Sequence, residues 1–417
     1  LIYKWKYNFY SILQVSVGAL NLLLLYKVFG TSEESQVFLL GSSVLLSMQL
    51  IGLSCNEQFI YKYIDLRSNN KHVSEVFYSS YVYVSLIIGV IFYLLILIFN
   101  ESVYYIFISG LNNHTYNLFQ KYFNILSISI IFIIPINIIQ AYLNANYKIG
   151  FAYLAQSVPN IFIFFGLTSF LLLEKNVIYL AKLFLIGNII VFFWLFFIKN
   201  KTHKIILNDH ILETIKSSIK VRTAHNIHNF LSLVIVNNFV SGLPLLESST
   251  FLYVKRISDT IFSVVYNPTH RLLVNLISAY KYDKELYKLK PVLIKNTVIM
   301  CIVFLIIGLA GIILVPGLNY IYPIDSFAIK WISINFICLM FVNLLMAVEI
   351  PYAIVSLTFN SSRIFFISNS IYIISLYLFM IYGNSIFEFY TLGVGLAVVQ
   401  IINFILIRRF AILAYIK

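Results

Sequence analysis

Apolar runs of roughly 20 residues recur from the beginning of the chain to its end, each closed by a short polar stretch. That is the length a helix needs to cross about 30 Å of hydrocarbon. The runs predict twelve spans, at residues 9–29, 36–55, 76–99, 122–143, 151–173, 177–198, 223–243, 250–278, 292–315, 329–350, 364–382 and 391–410. A membrane barrel would instead read as short segments alternating apolar and polar at every second residue. No such segments occur, so the expected class is an all-α integral membrane protein.

Composition agrees: 60% of the 417 residues are hydrophobic, 11% are charged and the mean hydropathy is +0.89, far from a soluble globular chain. The net charge of +13 raises nucleic acid as a partner. The basic residues are scattered through short connections, however, with no basic domain to follow a phosphate backbone. Topology accounts for them better. With the N-terminus in the cytoplasm, only Lys27, Lys121, Lys175, Lys182, Lys255, Arg256 and Lys330 fall on the outer side or outer half. The rest of the 29 basic residues fall inside, and the positive-inside rule then puts both termini in the cytoplasm. Cys55, Cys301 and Cys338 sit in or beside apolar runs without paired spacing, which predicts packing thiols rather than a disulfide or metal site. The chain opens Leu-Ile-Tyr-Lys with no cleavable signal, so the first span is expected to serve as its own insertion signal, with a few starting residues missing.

The longest connection without an apolar run is KNKTHKIILNDHILETIKSSIKVR, between spans 6 and 7. It divides the chain into an N-terminal six-helix lobe (1–205), a cytoplasmic linker (206–222) and a C-terminal six-helix lobe (223–417). Both halves contain an even number of spans, so a repeat would be parallel, about an axis along the membrane normal. Its trace is thin: Ser35-Gln36-Val37-Phe38-Leu39 opens span 2 and Ser249-Thr250-Phe251-Leu252 opens span 8.

Polar residues inside a bilayer must find a partner helix or a wet cavity. Ser11, Gln14, Gly18 and Asn21 share one face of span 1, and His225, Asn229 and Ser232 one face of span 7, which also carries His228, Asn237 and Asn238. Span 4 has Asn137, Gln140 and Asn144 behind Pro135, span 5 has Gln156 and Asn160, and span 12 has Gln400 and Asn403. Two readings stand. These groups are interhelical glue, worth about 0.6 kcal/mol each, or the stripes on spans 1 and 7 wall a central hydrophilic cavity. His225 and His228 have no carboxylate or cysteine near them in sequence, so interface histidines are expected and no metal site. Glu349 ends span 10 beside Pro351, where an interfacial and a proton-carrying position are equally open.

Span 8 carries YVKRISD, placing Lys255 and Arg256 within one turn of Asp259. An ion pair at the headgroup level is one account. Yet one acid cannot neutralise two bases, and a base near a helix centre costs about 2.5–3.5 kcal/mol unless it faces water or an anion. The other account is a cavity with net positive charge.

These features resemble the multidrug/oligosaccharidyl-lipid/polysaccharide (MOP) exporter superfamily, and within it the bacterial lipid-linked oligosaccharide flippases of the Wzx type. Twelve spans in two parallel-repeat bundles of six agree over essentially the whole chain. The exit of span 2, LSCNEQFIYKYIDLRSNN, is similar to the family's segment where a short charged helix leaves the membrane after a Gly-acid or Asn-acid turn, with Asn56, Glu57, Tyr61, Lys62 and Tyr63 in those places. Span 8, with its Tyr, Arg-Ile pair and mid-helix Pro, resembles the family's eighth span. The resemblance implies a MATE-like alternating-access transporter of the bacterial inner membrane with a cationic cavity. Its cargo would be an undecaprenyl-pyrophosphate-linked oligosaccharide for O-antigen or capsule assembly, and its partners membrane lipids and the polymerase and other polysaccharide assembly proteins. Lys255 and Arg256 suit a pyrophosphate, which accepts charge-assisted hydrogen bonds. The neutral residues Gln14, Asn21, His225, Asn229, Ser232, Asn137 and Gln140 suit sugar hydroxyls. Asp259 would release the bases on taking H+ or Na+, the coupling ion; no other cofactor is expected. The first half has no match for the Lys-Arg pair, since Phe38 to Leu46 is uncharged.

A multidrug antiporter of the MATE type is the rival transporter, and it would want buried acids. An oligosaccharide polymerase or ligase is the rival enzyme. It needs a positioned base and substrate clamps, and the longest outer connection, from Asn100 to Lys121, offers only Glu101 and His114 besides Lys121. No phosphate-binding Gly-rich loop, nucleophile elbow or metal motif appears, so no enzyme is expected.

Overall fold

The structure, a computed structural model, describes residues 2–146, 148–171, 176–199, 206, 209–282, 289–317, 326–358, 362–387 and 390–416. Among these residues the secondary structure is helical, without strands. The helices are α1 (Ile2–Phe29), α2 (Glu33–Asn69), α3 (Lys71–Ile98), α4 (Asn100–Ile108), α5 (Asn113–Ile128), α6 (Ile130–Ala145), α7 (Ile149–Ser169), α8 (Val177–Lys199), α9 (Asp209–Ser241), α10 (Leu245–Tyr282), α11 (Leu289–Gly317), α12 (Ser326–Thr358), α13 (Ser362–Phe387) and α14 (Thr391–Ile416).

Apart from Ser129 within span 4 and one or two residues at some ends, the described part of each expected span lies in a helix, and the chain is a multi-pass, all-α membrane protein. Among the described residues, α3, α7, α8, α11, α12 and α14 are long and apolar enough to cross a bilayer, and the bent pair α5 and α6 makes a seventh crossing if it is one span. The described apolar stretches of α1 and α13 are Ser16–Phe29 and Ile367–Gly383.

Three local features differ from the sequence reading. The exit of span 2 does not turn: α2 runs unbroken for 37 residues, because nothing after Gly52 interrupts its backbone hydrogen bonds. The charged stretch from Asp209 is already helical and continuous with α9. Span 4 is two helices meeting at 41° around Ser129. Pro135 lacks the N–H that the Ile131 carbonyl would accept, and its ring crowds that carbonyl, so the preceding turn opens. Helix α3 fills the notch: a Cβ on Gly89 would lie 2.9 Å from the Ile131 carbonyl oxygen. Pro159 of α7 is matched in the same way, with Gly187 of α8 against its ring.

The chain divides into two compact units, Leu1–Ser249 and Thr250–Lys417. Helix α9 packs along α2 and lies within the first unit. The core of that unit is aromatic at one end. Phe59 and Tyr63 of α2 stack with each other at 5.6 Å and Phe59 with Phe77 of α3 at 5.5 Å, and Ile211 of α9 is buried in the same cluster. In the second unit α12 packs on α11 and α14, and α13 on α14. Cys301 and Cys338 are free thiols; the side chain of Cys55 lies outside the described residues.

Candidate functional site

Helix α10 is anchored by Ser258. Asn343 of α12 donates its amide to the Ser258 carbonyl at 2.9 Å and to its hydroxyl at 2.7 Å, and the Ser258 hydroxyl lies 3.8 Å from the Met340 sulfur. A helix turns about 100° per residue, so fixing Ser258 against α12 aims Arg256, Thr260 and Ser263 the opposite way, with Lys255 and Asp259 on the flank. The hydroxyls of Thr260 and Ser263 fold back onto the carbonyls of Arg256 and Asp259, at 2.7 and 2.9 Å. The polar stripe is therefore a face of α10 that its own helical neighbour α12 does not cover.

Within that stripe the two bases differ. Lys255 Nζ pairs with Asp259 Oδ2 at 2.6 Å, the side chains being 21% and 42% exposed. Arg256 is half-buried, and its guanidinium has no ion pair or hydrogen bond among the described residues. The pairing that spacing allowed has gone to the lysine, and one cation is left over.

The neutral residues divide. Asn21 is buried and donates to the Asn160 carbonyl of α7 at 2.8 Å. Gln140 of α6 is buried and accepts from Gln156 of α7 at 2.9 Å. Asn137 is buried in α6, and Asn237 of α9 accepts from Ser43 of α2 at 2.9 Å. For Asn21 and Gln140 the interhelical account fits, since both amides are engaged by a neighbouring helix. Gln14 of α1 and Asn229 and Ser232 of α9 are only partly buried. The side chains of His225, Ser11, Asn56 and Glu57 lie outside the described residues. No group of three or more His, Cys, Asp or Glu side chains that could hold a metal ion occurs among the described residues.

A second polar centre lies inside the second unit. Glu349 of α12 is 7% exposed. From α14, Gln400 donates to its Oε2 at 2.5 Å and Asn403 to its Oε1 at 2.9 Å. Ser368 of α13 donates to the Asn403 amide oxygen at 2.7 Å. Glu349 thus lies in the interior of the second unit, its carboxylate held by two amides of α14. The readable signal was a pair of amides three residues apart on span 12 together with a lone acid two spans earlier; sequence could not say that they meet.

No protein-family model matches the chain, and no curated protein matches it. Solved structures do. The lipid II flippase MurJ in an inward closed conformation is 19% identical, over 98% of this chain and 89% of that one, with a TM-score of 0.75. A MOP superfamily transporter from Pyrococcus furiosus, described by the reverse polarity of its binding pocket, is 16% identical over 100% and 96%, with a TM-score of 0.70. An outward-facing multidrug resistance MATE family transporter is 16% identical over 100% and 96%, with a TM-score of 0.71. The chain thus has the MOP transporter fold.

Proposed function

We propose that this protein is a flippase that moves an undecaprenyl-pyrophosphate-linked oligosaccharide across the bacterial inner membrane by alternating access, driven by an ion gradient. It would have both termini in the cytoplasm and would work beside the enzymes of surface-polysaccharide assembly. Arg256 carries the reading. A guanidinium on a polar face of a membrane helix, without an anionic partner among the described residues, is costly to keep and is matched by an anionic headgroup that takes its planar fork of donors. Lys255, held by Asp259, becomes a second cation for the pyrophosphate once Asp259 takes a proton or a sodium ion. Gln14, Asn229 and Ser232, half-buried and polar, suit sugar hydroxyls. The likeness in fold to a lipid II flippase supports cargo of this kind.

Reconstituted in liposomes with a fluorescent lipid-linked oligosaccharide, the Arg256→Ala variant should move cargo much more slowly than wild type at equal protein. Unchanged rates in both Arg256→Ala and Lys255→Ala would remove the cationic site. A second reading, a cation-coupled multidrug antiporter, is favoured by one observation, the buried acid Glu349. Deleting the gene should then sensitise cells to cationic drugs, whereas the flippase reading expects unchanged drug tolerance and a loss of surface polysaccharide.

A further inference from the structure

We infer that, whatever the cargo, the corner between α4 and α5 is a releasable clasp on α9, and that the last turn of α4 is folded only while the clasp is shut. Helix α4 has nine residues, and isolated helices shorter than about 12–15 residues are marginal in water. The carbonyls of a last turn have no partner within their own helix, and here α9 supplies partners. Asn238 donates its amide to the Ile106 carbonyl at 3.1 Å and to the Ser109 hydroxyl at 2.9 Å. The Ser241 hydroxyl accepts from the Gly110 N–H at 3.1 Å. Beside them Phe107, which is buried, meets the Phe230 ring edge-on at 5.4 Å. The adjacent amides of α9 thus divide. Asn237 turns to α2, where it accepts from Ser43, and Asn238, about 100° further round the helix, turns to α4.

The corner is also held on its other side. Asn112 donates to Glu33 of α2 at 3.3 Å, and His114 pairs with the same carboxylate at 2.6 Å. Residues 109 to 114 therefore bridge the start of α2 and the end of α9, a few residues before the chain enters the second unit at Thr250. The two grips differ in kind. The grip on α2 includes a carboxylate. Around the Phe107 contact, the grip on α9 consists of neutral hydrogen bonds beside the exposed Ser109 and Gly110, where water can replace each partner with little net change. Its backbone contact does not interlock either. Gly110 and Gly242 approach so closely that a Cβ on Gly110 would overlap the Gly242 backbone, whereas a Cβ on Gly242 would meet only the Phe239 carbonyl oxygen, at 3.6 Å. Two bare backbones part without any rotamer change. When they do, the last carbonyls of α4 return to water and its final turn frays, while Glu33 keeps the corner attached to α2.

Hydrogen exchange of the full chain in liposomes tests this, read on the amides of Tyr105 to Leu111, which exchange when the turn opens. Asn238→Ala, which removes both hydrogen bonds to α4, should speed that exchange roughly tenfold. Gly110→Ala should act in the same direction by pushing α9 away, and Gly242→Ala should exchange as wild type does. If Gly110→Ala inserts poorly, Asn238→Ala carries the same reading. Ser109→Cys combined with Asn238→Cys puts thiols where the two side chains already meet. Oxidised to the disulfide with diamide, this variant should exchange more slowly than wild type, and when reduced more quickly. Wild-type exchange in both Asn238→Ala and Gly110→Ala overturns the proposal. So does an oxidised form that exchanges as fast as the reduced one, or a pair of cysteines that diamide does not join. Exchange needs no cargo, which separates this failure from that of the flippase reading. A wild type that moves no lipid-linked oligosaccharide yet shows the exchange pattern removes the cargo and leaves the clasp. One that moves the lipid while oxidised and reduced forms exchange alike removes the clasp and leaves the cargo.

Discussion

Lys255 and Arg256 are adjacent in sequence and electrostatically unlike. Lys255 spends its charge on Asp259, in a pair exposed enough that solvent weakens it to about 0–1 kcal/mol, so Asp259→Asn should leave the melting temperature in detergent nearly unchanged. Arg256 has no such partner. Losing its charge-assisted hydrogen bonds to a pyrophosphate should cost about 1.5–3 kcal/mol, or ~10–100-fold in transport rate; Lys255→Ala should cost less. A flipping assay on the two single variants orders them. That three charges cluster on span 8 was readable directly, because so few occur in the spans. Which base is left unpaired was not, since spacings of three and four residues are equally good for a helical pair. The surroundings of Glu349 were hidden for a different reason. Its neighbours Ser368, Gln400 and Asn403 are each ordinary in sequence, and only packing of α12, α13 and α14 turns them into a shell.

Helices in this protein meet through matched irregularities. Pro135 opens a turn of α6 and Gly89 of α3 fits against it, so Gly89→Val should drive a side chain into the Ile131 carbonyl and destabilise the protein by about 1–3 kcal/mol. Gly18, whose Cβ would meet nothing within 4 Å, is the control: Gly18→Ala should be neutral or stabilising, by up to about 1 kcal/mol. Thermal unfolding in detergent reads both. At the start of α2, Glu33 accepts from Asn112 at 3.3 Å and pairs with His114 at 2.6 Å, tying α2 to the beginning of α5. The hydrogen bond from His114 holds the Glu33 carboxyl below its ordinary range. A depressed acid contributes stability above its ordinary pKa and loses it as pH falls through its lower folded value. Because His114 is largely exposed, Glu33→Gln should cost about 0.5 kcal/mol or less at neutral pH. Its unfolding curve should merge with that of wild type in strong acid. Apolar length located these helices well, but it cannot register a break such as the one at Ser129, where both flanks stay hydrophobic.

The architecture as a whole is the fold shared with MOP transporters, and gene deletion separates the two proposed kinds of cargo. A lipid-linked oligosaccharide flippase should lose surface polysaccharide on deletion and keep its drug tolerance; a drug antiporter should do the reverse. Periodicity and composition were enough for the class of molecule, because a bilayer leaves helices little choice. One element deserves to be followed further. Helix α2 has 37 residues, and at ~1.5 Å per residue it spans ~55 Å, well beyond the ~30 Å thickness of a bilayer's hydrocarbon. In its first half Ser43 donates to Asn237 of α9 at 2.9 Å, and near its C-terminal end Tyr63 donates to Glu75 of α3 at 2.8 Å. An unbroken helix joins those two contacts, so a displacement of α9 at Asn237 should be carried along α2 to α3 at Glu75.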